Sequence, residues 1–215
     1  MTALRQRGFT LIEILLATAL LASGLALAFA TLRAATATAT RGESLAQRSE
    51  RMRAVEGFLR ARLAGTRPVA FGLDEETGLA RRFEGEPERM AFVADLPDYL
   101  GRGGPYLHAL QVAGPPGRKR IEVAFTLVQG GALVEEPQPL APEVLVEGLA
   151  EVRFRYRGLG GGQALGAWQD HWDAPEALPL QVEITIRAAD ERAAWPPLVV
   201  ALPLAGSYAI PLGAF

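Results

Sequence analysis

From Phe9 to Leu32 the chain is apolar almost without interruption, and Glu13 is the one charged side chain before Arg33. At ~1.5 Å rise per residue a helix over this run spans roughly 36 Å, enough to cross a bilayer core of about 30 Å. Beyond Arg33 the pattern turns amphipathic. Leu45, Met52, Val55, Leu59 and Leu63 follow one another at helical spacings and form one stripe. Arg48, Glu50, Arg51, Arg53, Glu56, Arg60 and Arg62 fill the other faces. No proline interrupts residues 9–64, so a single helix is predicted, with Gly42 as a bend. Gly65, Thr66 and Pro68 are expected to end it.

The period then shortens to that of strands. Residues 73–87 read as a polar loop with at most a short strand near Phe83. Short strands are predicted at 90–93 and 107–112, and a half-buried one at 120–127, where Ile121, Val123, Phe125 and Leu127 alternate. The Gly114-Pro115-Pro116-Gly117 turn precedes it. Weaker strands are expected at 133–134 and 144–146. Val152, Phe154 and Tyr156 alternate with Arg153, Arg155 and Arg157, a separate strand with one basic face. Residues 158–162 read as a flexible loop. Two strictly alternating runs close the chain: Leu180, Val182, Ile184, Ile186, then Leu198, Val200, Leu202, Leu204. A polar turn at 189–192 joins them as an antiparallel hairpin. The fold class that follows is α+β, a long N-terminal helix packed on an antiparallel sheet.

Composition removes several functions. The chain has 215 residues, enough for one membrane helix and one domain of ordinary size. Its net charge of −2 gives no basic field for nucleic acid. Cysteine is absent, which excludes a disulfide scaffold and a thiolate metal site. Lys119 is the only lysine among many arginines, and no function follows from that.

The N-terminal segment carries the strongest motif. A short basic leader, Met1 to Gly8, is followed by Phe9-Thr10-Leu11-Ile12-Glu13 and then the apolar helix. The chain resembles the type IV pilin-like family in these residues. The resemblance implies a pilin-like fold, cleavage by a membrane-embedded prepilin peptidase between Gly8 and Phe9, and methylation of the new Phe9 amine. A secretory signal peptide differs, since its apolar core of about 7–15 residues precedes the cut. Arg5 and Arg7 place the N-terminus in the cytoplasm by the positive-inside rule, and the remainder outside the inner membrane, in the periplasm. The expected organisation is leader 1–8, transmembrane half-helix 9–32, amphipathic half-helix 33–64 and periplasmic β-rich domain 65–215.

An ionised carboxylate inside the apolar edge costs about 2.5–3.5 kcal/mol, so Glu13 is read as a functional acid needing a partner. The Phe9 amine, on its own helix or on a neighbouring subunit's, is the expected one. A desolvated pair of this kind would fix register between helices, because either charge alone is penalised. A signal anchor with an incidental Glu13 explains the apolar run but not the motif.

Three features narrow the resemblance. The helix lacks the proline that major pilins and major pseudopilins commonly carry near the position of Ala30. Glu13 is present, whereas K-type minor pseudopilins typically lack it. Val146-Glu147-Gly148-Leu149, Val152-Arg153-Phe154-Arg155-Tyr156, the paired Trp168 and Trp172, and Leu178-Pro179 are similar to J-type minor pseudopilins of type II secretion. That likeness implies a structural subunit of the pseudopilus tip complex, which starts fibre assembly for export of folded proteins. The implied partners are I-, K- and H-type minor pseudopilins, the major pseudopilin, the prepilin peptidase and inner-membrane lipid, with no cofactor. A minor pilin of a type IV pilus or DNA-uptake pseudopilus remains the alternative, and a membrane-anchored periplasmic binding module is a third.

Other candidate chemistry reduces to bland readings. Asp170-His171-Trp172-Asp173 is metal-like in composition but converges only in a turn, and a solvated loop is the expectation. Glu75-Glu76 and Glu135-Glu136 read as exposed loop acids, and His108 as a satisfied or exposed strand residue. Trp168, Trp172 and Trp195 are either partner anchors or core packing. Neither histidine lies in a nucleophile motif, and Gly160-Gly161-Gly162 has no phosphate-loop lysine, so no catalytic site is expected.

Overall fold

The computed structural model describes residues 9–75, 77–96, 103–134, 141–160, 164–190 and 195–205. Helix α1 runs over Leu11–Ala64, a single element of 54 residues. The chain divides into two units, residues 1–51 and 52–215. The helix continues unbroken through Gly42, because an isolated glycine weakens a helix without removing any of its hydrogen bonds.

In the first unit every described residue is exposed, and the apolar part is long enough to cross a membrane. The helix satisfies its own polar side chains. Thr18 donates to the Leu15 carbonyl at 3.0 Å, Ser23 to Ala19 at 2.8 Å and Thr31 to Ala28 at 2.9 Å. Thr36, Thr38, Thr40 and Ser44 do the same. A hydroxyl bonded back to its own helix is what an apolar medium requires.

In the second unit the helix ends by burying Val55, Leu59 and Leu63, with Met52 and Phe58 partly covered. Leu45, assigned to the same stripe, stays exposed, since it lies in the first unit. The sheet is antiparallel with order β1-β5-β6-β7-β9-β10-β11. Its strands are β1 (Thr66–Arg67), β4 (Phe83–Gly85), β5 (Arg89–Leu96), β6 (Gly104–Ala113), β7 (Lys119–Gln129), β8 (Ala132–Val134), β9 (Glu143–Arg157), β10 (Gln181–Ala188) and β11 (Leu198–Ala201). β4 adds to β5 and β8 to β7, while β2 (Gly72–Leu73) and β3 (Ala80–Arg81) form a separate ribbon. The short strand expected near Phe83 is β4, while β2 and β3 put further parts of the expected loop at 73–87 into sheet. Strands of two or three residues leave no alternation to read.

The helix stripe meets Met90, Phe92 and Leu110 on one face, together with Phe154, Val182 and Val200. The opposite face of β5, β6 and β7 carries Ala91, Val93, Leu107 and Val128, clustered with Phe71. β5 is thus buried on both sides. A row of rings crosses the main core: Tyr156 meets Phe83 edge-on at 5.6 Å, Phe83 stacks on Phe92 at 6.3 Å, and Phe92 stacks on His108 at 5.5 Å. The separate strands predicted at 144–146 and 152–156 are one, β9. Gly148 has φ of +75°, and the register against β7 gains a residue between Leu149 and Val146. That bulge shifts the phase of the alternation without ending the strand. Its first half pairs with β7 and its second with β10. The C-terminal hairpin pairs as expected, Val182 opposite Val200 and Ile184 opposite Leu198. Leu202 and Leu204 lie beyond the strand, and part of the predicted turn lies outside the described residues.

Candidate functional site

At the start of the helix, Thr10 acts as the cap. Its hydroxyl accepts from the Glu13 N–H at 3.3 Å and its carbonyl from the same N–H at 3.1 Å. Thr10-Leu11-Ile12-Glu13 has the spacing of a capping box, threonine followed three residues later by glutamate. An acid in the first turn also complements the helix dipole. Glu13 is exposed and shares a shallow depression with Phe9, Ile14, Ala17, Thr18 and Leu21. Among the described residues its carboxylate has no partner, whereas Thr18, Ser23 and Thr31 are satisfied within the helix. Phe9 and Glu13 lie a turn apart on one face. This leaves one acid in an apolar stretch free to accept a charge from elsewhere. Gly8 and the rest of the leader lie outside the described residues.

The paired tryptophans separate. Trp172 belongs to the domain's interior. Its ring packs on Gly158, where a Cβ would come within 2.8 Å, and its Cβ sits over Gly85. Its indole N–H donates to the Ala177 carbonyl at 2.8 Å and its backbone N–H to Gly85 at 2.9 Å. Trp168 instead lies over the outer side of β9, with the Arg157 guanidinium 4.4 Å and the Arg155 guanidinium 5.8 Å from its ring centre. Trp195 packs partly buried against the main core.

The basic face of β9 is a lattice, not a free patch. Arg153 is paired with Asp170, Arg155 with Glu183, and Arg187 of β10 with Glu151. Arg153 holds the Asp170 carboxyl below the usual range, chiefly through their hydrogen bonds, and Arg187 does the same for Glu151. Asp170, His171 and Asp173 form no metal cluster, and no such group exists among the described residues. Glu75 is exposed as expected, while Glu76, Glu135 and Glu136 lie outside the described residues. The alternation of Arg153, Arg155 and Arg157 is visible in the sequence. Their partners lie between 17 and 28 residues away, where no local pattern reaches.

His108 is fully buried. One ring nitrogen, Nδ1, lies 3.0 Å from the Tyr106 carbonyl, Nε2 has no partner, and Phe125 meets the ring edge-on at 5.0 Å. Burial pushes its pKa down to about 4, aided by Arg62 and opposed by the Tyr106 bond and Asp95. The Tyr156 hydroxyl donates to the Glu86 carbonyl at 2.8 Å, and burial raises its pKa.

Residues 4–29 match the prokaryotic N-terminal methylation motif. Over 203 residues the chain is 53% identical to the type II secretion system protein J of Xanthomonas campestris pv. campestris, covering 94% of this chain and 95% of that protein. The chain belongs to the type II secretion system protein J family. Membership fits the geometry: among the described residues, one acid without a partner in an apolar helix, and arginines already engaged. It makes the protein a structural component of a secretion system, anchored in the inner membrane by a single apolar helix.

Proposed function

We propose that the protein is a J-type minor pseudopilin at the tip of the pseudopilus, where it helps start the fibre that exports folded proteins across the outer membrane. In this reading residues 1–8 are removed between Gly8 and Phe9, and the Phe9 amine is methylated. Residues 9–32 cross the inner membrane with the N-terminus in the cytoplasm, residues 33–64 continue the helix, and residues 65–215 form the periplasmic domain. I-, K- and H-type minor pseudopilins and the major pseudopilin are its neighbours. The observation that carries the reading is Glu13, a carboxylate without a partner among the described residues, in an apolar stretch whose hydroxyls on Thr18, Ser23 and Thr31 are bonded within the helix, inside a motif matched over residues 4–29. A neighbouring subunit's Phe9 amine would supply the missing charge, and the pair would hold two helices in register. The likeness to a secretion protein supports this role over a minor pilin of a type IV pilus, a DNA-uptake pseudopilus or an anchored binding module.

The test is Glu13→Ala in cells whose secretion depends on this chain. The variant should insert into the membrane as the parent does, yet secretion of exoproteins should fall at least tenfold, and co-purification with other pseudopilins should be lost. Wild-type secretion by the variant would refute the assembly role. Mass spectrometry of the mature chain should find methylated Phe9 at its start.

A further inference from the structure

The outward positions of β9 and β10 face one another in register: Arg157 opposite Gln181, Arg155 opposite Glu183, Arg153 opposite Thr185 and Glu151 opposite Arg187. Three of the four arginines meet a carboxylate, Arg155 at Glu183, Arg153 at Asp170 and Arg187 at Glu151. Arg157 meets an amide instead. Its Nε donates to the Gln181 side-chain oxygen at 2.7 Å and its Nη2 to the same atom, while Trp168 supports the guanidinium plane from 4.4 Å. The amide and the ring fix the fork without neutralising it. Among the described residues no carboxylate pairs with Arg157, so four arginines against three acids leave one positive charge.

Beside this charge stands an apolar pair. Leu159 follows Arg157 by two positions, the spacing that keeps side chains on one face of an extended chain. It lies directly opposite Leu165, and the two are 55% and 50% exposed. Hydrogen bonds from Gly160 to the Ala164 carbonyl at 2.8 Å and from Gly166 to the Gly158 carbonyl at 2.9 Å hold the two stretches together. Arginine and tryptophan are the residue types that most often dominate protein interfaces, and a pre-set guanidinium loses less entropy on pairing than a free one.

We infer that Arg157, Trp168, Leu159 and Leu165 form a docking spot for another protein that presents one Asp or Glu carboxylate flanked by apolar side chains. The inference rests on the proposed role as an assembling subunit, and names the surface such a neighbour would use. The charge pattern selects this occupant. An anionic membrane surface would meet Glu151, Glu183 and Asp170 among the arginines, and one surplus charge is a poor match for a polyanion. A second copy of the chain, joined by this same patch, has no spare acid there, since all three are already taken.

The experiment places a photo-crosslinking benzophenone amino acid at position 165 of the full chain in its own cells. Irradiation should give an adduct with another secretion subunit, and the crosslinked peptide should contain an Asp or Glu. Arg157→Glu should cut the adduct at least tenfold, Arg157→Gln at least threefold, and Arg187→Glu less than twofold. Reversing the mapped acid to Arg in the partner should restore the adduct with Arg157→Glu. Arg157→Gln keeps the test valid should the charge reversal lower the amount of folded protein. No adduct, an adduct with a second copy or with phospholipid alone, or one indifferent to both Arg157 variants would overturn the inference. Deletion of the whole chain separates the two claims. If secretion survives deletion, the assembly role fails; if deletion abolishes secretion while the Arg157 variants leave adduct and secretion intact, only the docking spot fails.

Discussion

Residues 11–51 and 52–64 belong to one helix but answer to different surroundings. In the first stretch Leu11 is 78% exposed and Leu27 68%, and the hydroxyls of Thr18, Ser23 and Thr31 turn back onto their own carbonyls. In the second, Leu59 and Leu63 are 1% and 0% exposed, and charged Arg53 and Arg60 lie outside. Between Leu11 and Leu32 the hydroxyls of Thr18, Ser23 and Thr31 are bonded within the helix, so lipid can surround that part. The second depends on burying three side chains on one face, the ordinary source of helix stability in water. Backbone geometry is shared, and the side chains decide which solvent each part requires.

The comparison breaks first at Leu59. Leu59→Ala should cost about 2–5 kcal/mol of domain stability, by the removed methyl groups and the cavity they leave. Chemical denaturation of the full chain in detergent measures it, and membrane insertion should stay at the parent level. A matching loss of insertion would mean that the two stretches are not independent.

His108 sharpens the second half of the comparison. Its folded pKa of about 4 lies below the ordinary 6.5, so the unfolded chain binds the proton first as pH falls. The contribution of the neutral ring is therefore complete above about pH 6.5 and is lost between there and about pH 4, by roughly 3 kcal/mol. Denaturation midpoints of the parent should fall across that window, and His108→Phe should flatten the fall. Equal slopes in the two proteins would show that protonation of His108 is not what the core resists.

The smallest effect belongs to the first stretch. Thr31→Val removes a hydroxyl whose bond is internal to the helix, and should change stability and insertion by no more than about 0.5 kcal/mol. A larger loss, read from the glycosylation or protease-protection ratio of inserted chain, would show that the hydroxyl serves a neighbour instead.

Periodicity revealed most of the domain, namely the helix stripe from Met52 on, strand β7 and the hairpin of β10 and β11. It failed where structure is set by contacts distant in the chain. β1, β2 and β3 are too short to alternate, and although a short strand near Phe83 is legible, the seat of its ring is set by Phe92 and by Tyr156, far along the chain. Trp168 and Trp172 looked equivalent four residues apart, yet the gaps at Gly85 and Gly158 take one into the interior. At the N-terminus the motif made Glu13 legible at once. Thr10's capping spacing was equally present but read only as part of that motif. Arg157 could not be singled out, because its difference from Arg153 and Arg155 lies in meeting Gln181 where they meet Asp170 and Glu183.

Strand β9 turns a matter of composition into one of counting. Val146, Leu149 and Val152 all face the core although each lies three residues from the next, because β9 carries one extra residue opposite β7 between Val146 and Leu149 and another opposite β10 between Leu149 and Glu151. Each bulge offsets the residue it adds, so one position can be lost there only together with its bulge: a shortening that left both bulges in place would turn either Val146 or Val152, Phe154 and Tyr156 outward.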